Sequence, residues 1–359
     1  MAVPELNIDR CAKLVERAIR DFELDLDGLS VLTEAASGPF VFTPLVAALA
    51  GARTVRALTR DSHYGSALEV TTLTNELAAR WGVADRVEVL VSRDDPGIGE
   101  SDVVTNLGFV RPLDRSFLER LGGSSAVALM FEPWEHRDAD IDLAACRELD
   151  IPVLGTNEDD PRLRTFGYLP GIAAKLLLEL GIEVFGSRVL LVSGGRFAAE
   201  IAEGLARMGA DVEPFPPPLP PGDAIFAAAV SRADAMIVAD HPASAPVLGA
   251  DAAYTSRDLL RMNPGLGFAH IAGAVDAGEI ADSGIARAPE RIAAAGSMSV
   301  TAGYLGPKPV IDLHAAGLRV GAALSQARRG GLDAAQAESS VSASLSLARG
   351  FDRNSETIS

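Results

Sequence analysis

The stretch SRVLLVSGGRFAAEIAEGLARMGADVEPF, residues 187–215, predicts a strand, a glycine turn, an amphipathic helix and a second strand. Its apolar run at 189–192 suits a strand that is buried on both faces. Apolar side chains then recur at helical spacing at Phe197, Ile201, Leu205 and Met208. Charged residues lie on the opposite side of this predicted helix. Strand, helix and strand in this order predict a parallel βαβ crossover, which is the first half of a mononucleotide-binding unit.

The turn inside this unit reads Ser193-Gly194-Gly195-Arg196-Phe197-Ala198. In a G-x-G-x-x-G turn, small residues permit the tight bend and let a diphosphate approach the backbone. Here the middle glycine is present, Ala stands at the last position and Ser stands at the first. No acid follows the second strand to hold a ribose, because that strand runs into the prolines at 214 and 216–218. The turn predicts anion binding by backbone N–H groups and Arg196, and a plain tight turn with a solvated arginine is the alternative.

Composition limits the classes of function. A chain of 359 residues exceeds the size at which one core stops growing, so two domains are expected. The formal net charge of −17 argues against a nucleic-acid partner, which needs a clustered basic face. No segment approaches the roughly 20 apolar residues that span a bilayer. Residues 1–22 do not resemble a signal peptide, so a cytoplasmic protein without a membrane partner is expected.

Metal binding is not predicted. Cys11 and Cys146 have no second Cys or His at ligand spacing, and no set of His and carboxylates has such a spacing either. Both cysteines are expected to be small buried hydrophobes.

The rest of the chain alternates strands and helices in the same way. Before the central unit, strands are predicted at 29–33, 54–58, 86–91, 102–105, 126–130 and 152–154, with helices at 44–50, 66–81 and 140–149. A helix at 170–181 leads into the central unit, which is followed by a strand at 235–239, a helix at 256–262 and a strand at 267–272.

These elements predict an N-terminal α/β domain at 1–165 and a second, dinucleotide-binding domain at 166–309. A helix at 310–328 is expected to cross back to the first domain, which helices within 310–345 would complete. Residues 346–359 are predicted to form a loose tail.

Residues 101–276 resemble the superfamily of two-lobed dehydrogenases that includes D-2-hydroxyacid dehydrogenases, alanine dehydrogenase and adenosylhomocysteinase. The resemblance lies in DIDLAACRELDIPVLGTNEDD at 140–160, in the central unit, in ADAMIVADHPASAPV at 233–247 and in RDLLRMNPGLGFAHIAGAVD at 257–276. It implies two Rossmann-like, doubly wound α/β domains with an interlobe cleft, and NAD or NADP as cofactor. The Arg, Glu and His set of the hydroxyacid enzymes is not recognisable, because IAGAVD lacks the arginine and no Glu-Pro segment follows.

The first domain carries a second resemblance, to S-adenosylmethionine-dependent methyltransferases. Its segment VLTEAASGP at 31–39, then Asp61, then ADRVEVLVSRDD at 84–95 follow the order of those enzymes, which is a glycine-rich turn, an acid after the second strand and an acid after the third. Only Gly38 remains of the usual glycines. Any doubly wound domain places loops and small residues there, so methyl transfer is the alternative within enzymes.

Ligands of open α/β sheets bind beyond the carboxyl ends of the strands, and polar residues there are the candidates. In the second domain the predicted cofactor-binding residues are Ser193, Gly194, Gly195, Arg196, Phe197, Asp240, His270 and Asp276. His241 follows the strand at 235–239 and is predicted to be catalytic, because a histidine can exchange a proton at neutral pH during hydride transfer. For His241 and His270 alike, the alternative is a hydrogen-bonded position in the core.

In the first domain, Glu132 and His136 follow the strand at 126–130 and predict either an acid–base pair or two side chains that orient one another. Trp134 lies between them in the sequence and would cover a substrate. A solvated loop with one buried tryptophan is the alternative. Further residues predicted to bind substrate lie after strands or on the returning helix: Glu34, Ser37, Gly38, Arg60, Asp61, Tyr64, Asn106, Asn157 and His314.

The sequence therefore predicts an NAD(P)-linked oxidoreductase acting on a small polar oxo or imino acid, with His241 or His136 supplying the proton. Methyl transfer from S-adenosylmethionine in the first domain is one alternative. A non-catalytic binding protein with a degenerate dehydrogenase fold is another. A homodimer is expected from the frequency of symmetric assemblies alone.

Overall fold

The computed structural model describes residues 6–241, 243 and 245–351. The chain divides into two compact units. Unit 1 comprises residues 1–164 and 306–359, and unit 2 comprises residues 165–305. The sequence of unit 2 is thus inserted into the sequence of unit 1.

Unit 1 is built on one sheet with the strand order β3-β2-β1-β4-β5-β6-β14. Its strands are β1 (Ser30–Glu34), β2 (Thr54–Leu58), β3 (Val87–Leu90), β4 (Val103–Thr105), β5 (Ala126–Ala128), β6 (Val153–Thr156) and β14 (Ala348–Arg349). Its helices are α1 (Ile8–Asp21), α2 (Phe42–Leu49), α3 (Ala67–Arg80), α4 (Arg115–Leu118), α5 (Leu143–Glu148), α11 (Pro307–Arg329) and α12 (Ala334–Ser344), with 3-10 turns at Gly38–Val41, Pro96–Glu100 and Pro133–Glu135.

Helices cover both faces of this sheet because successive strand residues point to opposite sides. Val31 and Val55 pack in one cluster with α1, α2 and α11, whereas Leu32 and Val104 pack on the other face with α4 and α5. Helix α11 lies close to the sheet at Gly321, where a Cβ atom would overlap Val103. Strands β1 to β6 pair in parallel, and their order matches the six-stranded dinucleotide-binding sheet.

Unit 2 has a second parallel sheet with the order β13-β11-β9-β7-β8 and a small pair, β10-β12. Its strands are β7 (Arg188–Val192), β8 (Asp211–Phe215), β9 (Ala235–Ala239), β10 (Pro246–Leu248), β11 (Gly267–Ala272), β12 (Ala274–Val275) and β13 (Arg287–Ala288). Its helices are α6 (Leu169–Glu179), α7 (Gly195–Arg207), α8 (Ala224–Arg232), α9 (Ser256–Met262) and α10 (Ala277–Ser283), with 3-10 turns at Thr165–Tyr168 and Ala302–Leu305.

The apolar run of β7 is buried on both faces, as its sequence predicts. Val189 and Leu191 pack with α6 and α7, and Leu190 and Val192 pack with α8 on the opposite side. The doubly wound α/β fold predicted from the sequence is therefore confirmed in each unit. Unit 2 has the strand order typical of flavodoxin-like sheets.

The loose tail predicted from residue 346 is wrong for residues 346–351. Leu347 is fully buried, and β14 pairs antiparallel with β6, which adds the last strand to the sheet of unit 1. Apolar burial and a strand partner hold this segment, and a composition rich in Ala and Ser did not indicate either. Residues 352–359 lie outside the described part of the chain.

The structure also bears on membrane and metal binding. Among the described residues, no helix is long and apolar enough to cross a bilayer, and no group of three or more His, Cys, Asp or Glu side chains is arranged to hold a metal ion. Both cysteines are buried, and burial raises the pKa of the Cys146 thiol to about 12.

Candidate ligand sites at the carboxyl ends of two sheets

In unit 2, the turn after β7 lies where the strand order reverses, between β7 and β9. Ser193 occupies the position of the first glycine of the fingerprint, and it is 2% exposed. Its Oγ donates to the carbonyl of Ala239 at 2.5 Å, and its N–H donates to the carbonyl of Phe215 at 3.2 Å. The serine therefore ties β7 to both neighbouring strands, which explains how the turn forms without a glycine there.

The next two residues open the turn to solvent. Gly194 is the N-cap of α7 and has no side chain with which to cap that helix. Gly195 has φ +55°, which favours glycine, and no atom lies within 4 Å of the place where a Cβ would stand. Because the first N–H groups of a helix have no partner inside it, this open turn can accept an anion.

Arg196 stands at the rim of the turn. Its guanidinium lies 4.0 Å from the centre of the Phe166 ring and 3.8 Å from the carboxylate of Glu200. Phe166 also packs edge-on against Phe197, which belongs to the core of unit 2. The aromatic ring holds the arginine beside the turn while leaving its side chain 45% exposed.

His241 lies on the other side of the turn, directly after β9. Its ring is half-buried and sits 5.7 Å from the ring of Phe197. Asp240, just before it, is 3% exposed, and a Cβ on Gly194 would stand 3.3 Å from its Oδ1. The structure thus brings Asp240 and His241 to the predicted turn of residues 193–197.

His270 and Asp276, also predicted to bind cofactor, have roles within unit 2. His270 is fully buried in β11, where Nδ1 pairs with the hydroxyl of Ser299 at 2.7 Å and Nε2 with the carbonyl of Gly273 at 3.3 Å. Burial lowers the pKa of His270 to about 4, so its ring is neutral at physiological pH. Asp276 caps α10, where its carboxylate accepts from the N–H of Glu279. Contact of either residue with a cofactor remains a prediction.

The end of β8 lacks an acid that is free to hold a ribose. Residues 214–222 contain no Asp or Glu. Glu213 pairs with Arg232, and Asp223 caps α8 by accepting from the N–H of Ile225. The end of β8 is instead apolar, because the ring of Phe215 packs against Phe226, which packs in turn against Tyr254.

In unit 1, the strand order reverses between β1 and β4. Glu34, the last residue of β1, is 6% exposed, and its Oε2 accepts from the N–H of Phe109 at 2.9 Å. Burial raises the pKa of Glu34, while the Phe109 hydrogen bond and the charges of Arg111 and Arg60 act in the opposite direction. The segment after β4 is thereby drawn over the end of β1.

Asn106 follows β4 in the same region and is 1% exposed. Its Oδ1 accepts from the N–H of Met130 at 2.8 Å, which fixes the orientation of the amide. Its Nδ2 is buried and has no hydrogen-bond partner. Buried polar groups without partners are rare, so this donor needs an explanation.

The remaining substrate candidates near β1 and β2 lie in turns. Gly38 begins a 3-10 turn with φ +62° and has open space where a Cβ would stand, and Ser37 precedes it without capping it. Arg60 lies 5.3 Å from the Phe109 ring. Asp61 accepts from the N–H of Ala67, and Tyr64 is 74% exposed. Glu34, Ser37, Gly38, Arg60 and Asn106 thus belong to neighbouring strand ends, whereas Asp61 and Tyr64 lie further along the loop after β2.

The acid–base pair predicted for Glu132 and His136 is wrong. Glu132 is fully buried, and both its oxygens accept from Nη1 of Arg349 at 2.9 Å. His136 instead pairs through Nε2 with the carbonyl of Ile141 at 3.2 Å. Among the described residues no hydrogen bond or ion pair joins the two side chains. The buried tryptophan of the alternative is also wrong, because Trp134 is 44% exposed.

Two further candidates serve the packing of unit 1. Asn157 donates through Nδ2 to the carbonyl of Ser346, which anchors the segment before β14. His314 on α11 is buried, and its Nδ1 pairs with the hydroxyl of Thr43 at 2.7 Å. Burial lowers the pKa of His314 to about 3. These hydrogen bonds lie within unit 1, and ligand contact stays a prediction for both residues.

Sequence reasoning did not identify three residues that shape these sites: Arg349, Phe166 and Ser299. Arg349 neutralises an acid 217 positions away, and Phe166 lies in a 3-10 turn with no periodic signal. Ser299 bonds to His270, which lies 29 positions away, so the sequence alone does not show that the two residues are neighbours.

No protein-family model matches the sequence, and no curated protein is similar to it in sequence. In structure the chain is similar to a dipicolinate synthase subunit from Bacillus halodurans, with a TM-score of 0.50, 12% identity, and coverage of 81% of this chain and 96% of that chain. The pyruvate reductase of Chlamydomonas reinhardtii is matched with a TM-score of 0.48 at 11% identity over 84% of this chain and 98% of that chain.

The NAD-dependent formate dehydrogenase from Staphylococcus aureus in complex with NAD is matched with a TM-score of 0.42 at 13% identity, over 81% of this chain and 93% of that chain. Identities this low show the fold alone. The resemblance of layout read from the sequence is confirmed at that level.

Proposed function

We propose that the chain is an NAD(P)-linked oxidoreductase that acts on a small polar oxo or imino acid. The observation that carries the proposal is the turn of residues 193–197. It joins a buried central strand to a 13-residue helix at the reversal of the strand order, and it is open above Gly195. A bound NAD(P) would supply or accept the hydride.

The residues present fit the diphosphate of such a cofactor better than its adenosine ribose. Gly194, Gly195 and the first turn of α7 would bind the diphosphate through backbone N–H groups, and Arg196 would neutralise it. No acid is free at the end of β8 to select a ribose without a 2′-phosphate. We therefore expect NADH and NADPH to bind with similar affinity.

His241 is the residue we assign to proton transfer. It is half-buried beside the turn, whereas His270 is fully buried within β11. His136 belongs to unit 1, and the proposed cofactor turn belongs to unit 2. An imidazole placed next to the cofactor turn can give a proton to a carbonyl or imine as hydride arrives, and can take it back in reverse.

The first test is calorimetric titration of the protein with NADH, NADPH and S-adenosylmethionine. We expect heat with the two dinucleotides and none with S-adenosylmethionine. Gly195→Val should abolish dinucleotide binding, because the side chain would fill the open turn. Gly284→Val is the matched control, since Gly284 also has a positive φ and open space around it, at the end of α10.

The absence of heat with both dinucleotides would refute the proposal and favour a non-catalytic binding protein. Equal dinucleotide affinity in Gly195→Val and the parent chain would refute the proposed location. If turnover of an oxo or imino acid is found, His241→Gln should lower kcat by about 100-fold and leave dinucleotide affinity unchanged.

A further inference from the structure

The sheet of unit 1 ends at β3, and no strand lies beside the outer edge of β3 in the described part of the chain. On its inner edge, the carbonyls of Arg86 and Leu90 accept hydrogen bonds from the backbone of β2 and of the residue that follows β2. Backbone groups of successive strand residues point to opposite edges. The N–H and C=O groups of Val87, Val89 and Val91 therefore point away from β2.

The side chains on this edge give it little protection against a further strand. Val87 and Val89 are half-buried, and Val91 is 72% exposed. The strand contains neither Lys nor Pro, and it pairs with β2 without a bulge. Its one charged residue, Glu88, lies 3.6 Å from Arg56 of β2. Natural sheets usually protect an edge with such devices, and an edge that lacks them is a template for another strand.

The sequence of this edge is complementary to itself. Residues 85–93 read DRVEVLVSR, with Val89 at the centre. If two copies of the segment pair antiparallel with Val89 opposite Val89, each Val87 lies opposite the Val91 of the other copy. At the two ends, Asp85 of one copy then lies opposite Arg93 of the other. Apolar side chains meet apolar ones, and opposite charges meet at the ends.

Charge and local structure favour this register over its neighbours. Centring the pair on Glu88 would set two carboxylates opposite each other, which is destabilising. Centring it on Val87 would require Arg86 to extend the strand, but the Arg86 N–H donates to the carbonyl of Val83 in a turn. The formal net charge of −17 opposes contact between copies, so local complementarity is needed for any contact.

We propose that the outer edge of β3 is the surface at which a second copy of this chain binds. The two β3 strands pair antiparallel about a twofold axis at Val89, and the sheet of unit 1 continues into that of the second copy. The outward backbone groups of residues 87, 89 and 91 exchange about six hydrogen bonds across the axis. The valine side chains pack in cross-strand pairs on one face. This contact requires neither a nucleotide nor a substrate.

The first test is sedimentation velocity of the full chain at concentrations from about 1 to 100 µM. We expect a dimer that dissociates on dilution. Val91→Lys should raise the dissociation constant by at least about tenfold, because a hydrated charge would face Val87 of the second copy at two places. Ile225→Lys is the matched control, since Ile225 is a branched apolar residue of unit 2 that is 69% exposed.

A parent chain that sediments as a monomer over this whole range would overturn the proposal. Equal dissociation constants for Val91→Lys and the parent chain would overturn it as well. Because Val91 is largely exposed, we expect the melting temperature of the monomeric Val91→Lys chain to match that of Ile225→Lys.

Disulfide crosslinking tests the register. In Val89→Cys the two Cβ atoms would stand about 5 Å apart across the axis. Diamide, which takes up the two thiol hydrogens as the S–S bond forms, should therefore give a covalent dimer. In Val91→Cys the two thiols would be roughly 13 Å apart along the strands, so this more exposed position should not crosslink. Cys11 and Cys146 are buried and do not compete.

An equal mixture of Val87→Cys and Val91→Cys chains should crosslink between the two variants, and it decides the matter if Val89→Cys does not fold. Crosslinking of Val91→Cys alone at the rate of Val89→Cys would indicate random collision and overturn the register. A dimer that gives no crosslink in Val89→Cys or in the mixture would place the second copy elsewhere and overturn the role of β3.

Discussion

The two units end their central strands in different ways. In unit 1, the reversal of strand order is lined by buried polar side chains, Glu34 and Asn106. In unit 2, the corresponding place is lined by the backbone of Gly194 and Gly195 and by one buried acid, Asp240, while Ser193 is committed to the carbonyl of Ala239. The same topological rule therefore brings polar side chains together at one strand end and an open glycine turn at the other, and the second is where we propose that a diphosphate binds.

This difference separates the effect of sheet topology from the effect of the residues that follow the strands. Sheet topology decides the location of each crevice, and the residues just after the strands decide its ligand. Side chains offer directional donors and acceptors at short range. Free helix N–H groups behind glycines offer a diffuse positive potential, which suits the spread charge of a diphosphate.

The largest expected effect is a substitution that destabilises unit 1 and leaves the stability of unit 2 unchanged. In Gly321→Val the new side chain would overlap Val103 and approach Ala128, whose Cβ lies 3.1 Å from the added Cβ position. We expect unit 1 to lose about 3 kcal/mol of unfolding free energy, because overpacking is poorly accommodated between a helix and a sheet. Chemical denaturation with hydrogen exchange should find unit 2 protected as before.

The reciprocal substitution is Gly204→Val, which would overlap the ring of Pro170 within unit 2. In this variant we expect unit 2 to lose protection from hydrogen exchange and unit 1 to keep it. Gly123→Val, where no atom lies within 4 Å of the added Cβ, is the control for both. Uniform loss of protection over the whole chain in either variant would show that the two units do not unfold separately.

The buried carboxylate of Glu132 gives the next largest effect. Arg349→Met removes both hydrogen bonds to an acid that is fully buried. Because the arginine side chain is 43% exposed, we expect a loss of about 2 kcal/mol rather than the larger cost of a fully buried pair. Urea denaturation measures it.

Adding Glu132→Gln to that variant should restore part of the loss, since the amide oxygen can still accept from the N–H of Glu158 and no charge remains. The loss should also shrink at low pH, because burial raises the pKa of Glu132 and protonation removes the uncompensated charge. A loss that is independent of pH would contradict the role assigned to Arg349.

The buried histidines His270 and His314 allow the stability of the two units to be compared as a function of pH. The folded pKa values are about 4 for His270 in unit 2 and about 3 for His314 in unit 1, both below the ordinary value of 6.5. Between those values and 6.5 the unfolded chain binds more protons, so stability falls as pH decreases. Each histidine contributes a slope of up to about 1.4 kcal/mol per pH unit.

His270→Asn should flatten the acid dependence of unit 2 alone, and His314→Asn that of unit 1 alone. Urea midpoints at pH 7.5 and 5.5, read by exchange in each unit, measure the slopes. His63→Gln changes an exposed histidine of unit 1 and serves as the control. Unchanged slopes in both buried variants would show that burial does not keep either ring neutral.

The smallest effect concerns the arginine at the turn of unit 2. Phe166→Leu removes the ring that lies 4.0 Å from the Arg196 guanidinium. We expect NADH to bind about fivefold more weakly, and the difference to shrink at high salt. Phe185→Leu, at a ring that is 82% exposed, should leave the affinity as it was. An equal change in both variants would remove Phe166 from the site.

Much of the fold could be predicted because buried runs leave a clear pattern. The predicted bounds of 235–239, 256–262 and 267–272 coincide with β9, α9 and β11. The short strands β10, β12, β13 and β14 were not predicted. They contain two or three residues, which is too few for any periodicity, and their partners are set by the tertiary fold.

Site residues were predictable by position and not by contact. Asp240 and His241 were expected at the end of a strand, and they lie beside the predicted turn. Glu132 was expected near His136, but its partner is Arg349, which is remote in sequence and enters through the unpredicted β14. Strand order places residues together, whereas the choice among several nearby charges depends on packing that a single sequence does not encode locally.

The insertion of unit 2 within unit 1 also has a consequence during protein synthesis. Unit 2 is continuous, so its sheet can form as soon as residue 305 has left the ribosome. The sheet of unit 1 must wait for α11 and β14, and until then its Val31 face lacks the helix that covers it. The nascent chain therefore completes the turn of residues 193–197 while the sheet of unit 1 still lacks its covering helix. At that stage valine and alanine side chains of unit 1 would be accessible to chaperones.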